Sequence, residues 1–286
     1  ENSMEKERRA AEILAACCQG AAAAASPEAV LARMGEANRR KALEQVPGLQ
    51  GLLCCVFPYF NRLDGGNLSL YARGMDYHLA ARKRLDRACE ALEKEFPGFQ
   101  FRGYADVSPF PEVYACAWAG LGAIGKNGLL LTQRWGSYVF CGMIATDLPL
   151  EGGEEPQKCP DCGLCRRTCP GGALSQDGRL DQSRCLSALT QQKGELTLEQ
   201  RRLIGRSGMA WGCDVCQRVC PANRGPEQTK IAEFLENIRS SLTAEELEGL
   251  TQREFRQKYG DRAFAWRGVV PLRRNLALLS QEKDSL

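Results

Sequence analysis

The sequence is poor in three things. It has one histidine in 286 residues, almost no net charge (+3 at pH 7), and no apolar run near the roughly 18 residues that a membrane-spanning helix needs. Its most hydrophobic stretches, residues 21–25 and 52–56, are far too short to cross a bilayer. Near-neutral charge excludes a strong overall attraction to nucleic acid. With 44% hydrophobic and 26% charged residues, long disorder is also excluded, and there is no repeat at solenoid spacing. What the chain has in excess is cysteine, fifteen in all. A secreted disulfide scaffold is usually short, even in cysteine count and led by a signal peptide. This chain is long, odd in count and opens ENSMEK, so reduced thiols and a cytoplasmic location are expected. Residues 1–3 read as a remnant ahead of an initiator methionine.

The pattern predicts an α+β protein in three parts. Residues 1–150 alternate helices and strands as a layered α/β domain. Two helices are expected in the first 45 residues, the second opened by Ser26-Pro27-Glu28. The continuous apolar run 51–57 predicts a strand buried on both faces, followed by a charged helix over 79–95 and strands at 99–105, 128–132 and 137–146. Residues 151–157 are a polar linker into a cysteine-rich domain ending near 228. The tail, 229–286, is predicted helical, with capping boxes at Thr243–Glu246 and Thr251–Glu254. Charge is uneven: residues 158–224 hold eleven Lys/Arg against six Asp/Glu, a net +5 that leaves −2 for the rest.

Eight cysteines fall between residues 159 and 220. Cys159, Cys162, Cys165 and Cys169-Pro170 form C-x2-C-x2-C-x3-C-P, the run that holds [4Fe–4S] clusters in two-cluster ferredoxins, where the fourth cysteine ligates the other cluster. Cys213, Cys216 and Cys220-Pro221 repeat the idea, and Cys185 is the eighth. The crossing rule assigns Cys159, Cys162, Cys165 and Cys220 to cluster one, and Cys169, Cys185, Cys213 and Cys216 to cluster two. Zinc ribbons or a redox disulfide are the alternatives, but zinc sites seldom use a four-cysteine 2-2-3 run. The other seven, at 17, 18, 54, 55, 89, 116 and 141, show no ligand spacing and read as small buried hydrophobes. Clusters move single electrons, so residues 1–150 should hold a cofactor, a substrate or both.

Other motifs are weaker. GLGAIG at 120–125 fits a dinucleotide fingerprint, yet it follows a helical stretch and precedes a strand, the reverse of the required context. Its glycines read instead as allowing close backbone approach to a large ligand. His78 sits in a D-x-H context without the glycine and carrier domain of cobalt-ligating histidines, so it reads as a satisfied or surface residue. Asp106 follows a strand, where ligands often sit, but by itself it reads equally as a turn aspartate.

Taken together, YARGMDYH at 71–78, DVSPFPE at 106–112, Ile124-Gly-Lys126, TDLPL at 146–150, the eight cysteines, RCLSALT at 184–190, GCDVCQ at 212–217 and LRRN at 272–275 resemble the epoxyqueuosine reductase family. These are cobalamin-dependent iron–sulfur enzymes of queuosine synthesis, related to reductive dehalogenases. The resemblance implies a short member without the C-terminal helical-repeat domain, holding two [4Fe–4S] clusters and a cobalamin with no protein histidine on cobalt. It implies Asp106 as proton donor, with Arg73, Lys126, Ser187 and Asp214 holding the corrin. The implied substrate is epoxyqueuosine on tRNA, or another small-molecule epoxide in a paralogue, and the implied electron source is an external flavodoxin- or ferredoxin-type donor. Gln191-Gln192-Lys193 stands where the family commonly reads Ile-Glu-Leu. A non-catalytic two-cluster carrier is the rival from another class.

Overall fold

The computed structural model describes residues 3–61 and 64–283. Glu1 and Asn2 lie outside them. The chain is α+β and forms two compact units.

The first unit comprises Glu1–Tyr59, His78–Gly125 and Leu129–Asp161. Its elements are α1 (Ser3–Cys18), β1 (Ala22–Ala25), α2 (Glu28–Ala32), α3 (Glu36–Gln45), β2 (Gly51–Pro58), α4 (Tyr77–Glu95), β3 (Phe101–Tyr104), α5 (Glu112–Trp118), β4 (Ala123–Ile124), β5 (Leu130–Leu131) and β6 (Val139–Thr146). The main sheet runs β1-β2-β6-β3, antiparallel throughout, with β2 and β6 paired from Gly51↔Thr146 to Pro58↔Val139. Every residue of β2 is buried, as its unbroken apolar run predicts, because both faces are covered. Side chains alternate across a strand, so Leu52, Cys54 and Val56 join Met143, Ala145 and Tyr104 in a core closed by α2, α3 and α5. On the opposite face α1 packs on β1 and β2. There α4 approaches so closely that a Cβ on Gly103 of β3 would lie 2.9 Å from Leu85.

Two expectations fail here. Residues 22–25 form an edge strand paired with residues 52–55 of β2, not helix. Four alanines favour helix locally, but pairing with an otherwise open edge of β2 overrides propensity. The second expected helix is two short ones, broken at 33–35, and Pro27 rather than Ser26 caps the first, with no side-chain cap bond. Within residues 120–125, Gly122 serves the β4–β5 hairpin: a Cβ there would lie 2.5 Å from the Leu131 carbonyl oxygen.

The second unit comprises Phe60–Tyr77, Lys126–Gly128 and Cys162–Leu286. It contains α6 (Leu164–Arg167), α7 (Leu186–Gln191), α8 (Leu198–Ser207), α9 (Val215–Arg218), α10 (Ala244–Leu247), α11 (Gln252–Tyr259) and α12 (Val269–Lys283). The expected capping boxes open α10 and α11, and a third, Thr197 with Gln200, opens α8. Trp211, Phe255, Phe264 and Leu272 form the main apolar core. The Arg-Arg-Asn sequence of α12 ties helix ends together. Arg273 donates to the Leu247 carbonyl, Arg274 to those of Gln192 and Leu189, and buried Asn275 to those of Thr190 and Ala210, both at 2.8 Å.

Candidate functional site: an acid on a loop and a thiol set on turns

In the first unit the chain leaves β3 and turns at Asp106, whose φ of 63° is left-handed, a region aspartate enters more readily than most residues. Three contacts hold it there. The Asp106 amide donates to Glu112 Oε2 at 2.9 Å, the Ser108 amide donates to the Asp106 carbonyl at 3.1 Å, and Asp106 Oδ2 lies 2.8 Å from His78 Nε2 on the first turn of α4. The Asp106 side chain is 55% exposed, and Val107 beside it is 80% exposed, so the acid stands at the surface of its unit. Behind it Glu112 is half-buried at the start of α5, and its Oε1 is shut from solvent without a hydrogen-bond partner. Burial pushes the Glu112 carboxyl up to about 7. The Asp106 amide, the Ser108 side chain and His78 oppose the rise, and the charge of Asp106 adds to it. Glu112 can therefore hold a proton near neutral pH, while the Asp106 carboxylate and the His78 ring share one hydrogen bond. Glu112 was not singled out in the sequence, and His78 is satisfied as expected, but by the very aspartate that the resemblance marks.

In the second unit, α6 and α9 are matching four-residue helices that carry Cys165 and Cys216, and they pack against each other. Burial pushes the Cys216 thiol up to about 12, and Cys213, Cys185, Cys169 and Cys165 each push it further by their charge. Cys213 is pushed up to about 11, again by burial first, with Cys185 and Cys169 adding to the rise. Cys169, Cys185, Cys213 and Cys216 thus share one neighbourhood, and the Ala173 amide donates to Cys169 Sγ at 3.3 Å. Thiolates crowded this way repel unless a cationic centre joins them, which is what an iron–sulfur cluster does. None of the fifteen cysteines is in a disulfide. Gly171, just past Cys169-Pro170, lies so close to the chain that a Cβ there would sit 1.9 Å from the Arg184 carbonyl oxygen, so only glycine fits this turn. Cys162 is exposed, and the Cys220 amide donates to the Gln217 carbonyl at 3.1 Å. In the first unit, the Cys159 amide donates to the Ile124 carbonyl at 3.2 Å.

The other four expected residues separate. Asp214 is buried, accepting from the Ser69 hydroxyl and, at 3.0 Å, from the Leu70 amide. Arg73 is fully buried, donating to the carbonyls of Leu68 and Gly65, and burial pulls its pKa below the usual arginine value. Both brace the 64–73 loop. Tyr71 joins that loop to Ser187, and its hydroxyl accepts from Gln191 Nε2 at 3.2 Å. Ser187 is half-buried. Lys126 lies apart from this group, also half-buried, with Nζ donating to the Gln176 carbonyl at 3.1 Å. Among the described residues no three His, Cys, Asp or Glu converge as for a single metal ion, and no helix is long and apolar enough to cross a membrane.

Residues 39–107 match the family described as "Epoxyqueuosine reductase QueG, DUF1730", and residues 158–223 match the "4Fe-4S double cluster binding domain". The epoxyqueuosine reductase of Staphylococcus aureus is 34% identical over 247 residues, covering 82% of this chain and 64% of that protein. The chain therefore spans just under two thirds of that relative's length. The epoxyqueuosine reductase of Gloeobacter violaceus is 32% identical over 262 residues, covering 87% of this chain and 82% of that protein. A crystal structure of an epoxyqueuosine reductase with a tRNA-Tyr epoxyqueuosine-modified stem loop superposes with a TM-score of 0.82 at 26% identity, covering 99% of this chain and 83% of that one. The cysteine segment is thus a double-cluster 4Fe–4S domain, and with the relatives matched across both units the chain belongs to the epoxyqueuosine reductase family.

Proposed function

We propose that the chain reduces the epoxide of epoxyqueuosine on tRNA to the alkene of queuosine in the cytoplasm, taking electrons from an external donor through its two clusters. Deoxygenation consumes two electrons and two protons and releases the oxygen as water. The observation that carries this reading is the proton-holding set at the end of β3, where Asp106, His78 and Glu112 meet. Asp106 is the proton donor to the departing oxygen, being the exposed member. His78 shares its proton at 2.8 Å, and half-buried Glu112 is a positioning residue that fixes the left-handed turn through the Asp106 amide. The relative solved with a modified tRNA stem loop supports the choice of substrate.

Cys169, Cys185, Cys213 and Cys216 hold one cluster in this reading, and the sequence pattern leaves Cys159, Cys162, Cys165 and Cys220 for the other. The family resemblance adds cobalamin, which when bound would supply the strongly reducing cobalt centre. The residues fit it in part. Half-buried Lys126 and Ser187 suit the amides and phosphate at a corrin edge, whereas Arg73 and Asp214 are engaged in bracing the 64–73 loop. With the one histidine paired to Asp106, none is left over for the metal. The test is anaerobic protein with cobalamin, a chemical reductant and an epoxyqueuosine-bearing stem loop. Spectra that show cobalamin bound and reduced, with no queuosine formed, would sink the substrate assignment and turn attention to another small epoxide.

A further inference from the structure

Clusters pass electrons but do not generate them, so a donor has to reach this chain from outside. The second unit contains a cleft of about 1280 Å³, larger than the ~300–1,000 Å³ of a small-molecule pocket. Two of its walls adjoin cluster ligands: Pro170 follows Cys169, and Arg184 precedes Cys185. Its charge is one-sided, with exposed Arg184, Arg202 and Arg206 against a single carboxylate, Glu199. The walls are also fixed. The α8 helix begins with the Thr197–Gln200 capping box, Gln200 Nε2 donates to the Ser183 carbonyl at 3.0 Å, and Arg184 Nε donates to the Gly171 carbonyl at 2.9 Å.

We propose that this arginine-lined cleft is the docking site for an acidic one-electron carrier protein, which delivers electrons through the turn that holds Cys169 and Cys185. The proposal deepens the reading of this segment as a cluster carrier and rests on it. A positive rim over a redox centre raises the encounter rate with a negative partner and makes that rate fall with salt. The size of the cleft favours a protein surface over a small reductant, and its position brings that surface within one residue of two ligands.

The experiment uses the full chain with clusters reconstituted anaerobically, and it reads the bleaching of cluster absorbance in a stopped-flow instrument, without substrate or cobalamin. Reduced flavodoxin is the acidic probe, and photoreduced 5-deazariboflavin, small and uncharged, is the control. In the parent the flavodoxin rate should fall steeply with salt. Arg202→Glu with Arg206→Glu should lower it about 10-fold or more at low salt and flatten that dependence, while the control rate stays unchanged. Unaltered flavodoxin rate and salt dependence in the double variant overturn the proposal. So does an unaltered flavodoxin rate accompanied by lost binding of a tRNA stem loop, which would make the cleft a nucleic-acid face. If the control bleaches nothing in the parent, the cluster reading itself fails, which is a different result.

Discussion

The two units use the same residue for opposite ends. In the first, Cys54 and Cys55 lie in the middle of β2 and Cys116 on the buried side of α5, where they fill core space. Burial pushes the Cys55 thiol well up, and that of Cys89 to about 12, so these thiols stay protonated and unreactive. In the second, Cys213 and Cys216 are raised by burial and then by other cysteines, because four-residue helices and glycine turns hold the sulfurs together. A strand spreads its cysteines over two faces, whereas a short turn gathers them. Cysteine chemistry here is set by the element that carries the residue. Acid chemistry divides the other way: the first unit sets a left-handed aspartate on the loop after β3, and the second buries Asp214 as a brace.

That contrast breaks most sharply at the ligands. Cys169→Ala should lose one cluster and leave roughly half the iron, sparing the cluster of Cys159, Cys162 and Cys165. Cys116→Ala should keep it all. Iron analysis with low-temperature spin resonance distinguishes them, and selective loss of the other cluster in Cys169→Ala would refute the crossed assignment. Next in size is Asp106→Asn, which keeps shape but cannot give up a proton. Turnover should drop at least ~10²-fold with both clusters intact, and near-parent conversion would remove Asp106 from the chemistry.

Glu112 sharpens the comparison through pH. Its folded carboxyl titrates at about 7 against an ordinary 4.5, so the folded state holds the proton more tightly than the unfolded chain. Its contribution is fully present below 4.5 and is lost as pH rises to about 7, a change on the order of 3 kcal/mol. Glu112→Gln should flatten that part of the stability curve in urea titrations. It should also weaken the turn at Asp106, lowering kcat more than it raises KM. An unchanged pH slope would show that the carboxyl is not buried as described. The smallest expected effect is Thr197→Ala, which removes the α8 cap and should cost about 1 kcal/mol by thermal unfolding.

Legibility followed contact range. The β2 strand, the α10 and α11 caps and the ligand spacing were readable because each depends on residues within a few positions of one another. The alanines at 22–25 were misread because their fate depends on pairing with residues 52–55, whose open edge local propensity cannot register. His78 was read only as a satisfied or surface residue and its pairing with Asp106 was not foreseen, since nothing local links a helix start at 78 to a loop 28 residues later. A second carboxylate six residues past the candidate acid was the one available signal for Glu112.

What the sequence determined by itself was therefore chemistry written in short spacing: eight thiols on turns, the strand that anchors the sheet, and the helix starts. Tertiary structure alone decided which groups share a proton and which merely brace a loop. Asp214 meets Ser69 across 145 positions, and Arg73 disappears into the carbonyls of its own loop. Both outcomes depend on burial and long-range approach, which set the local dielectric and the hydrogen-bond partners of a charged group, and neither is encoded in the residues next to it.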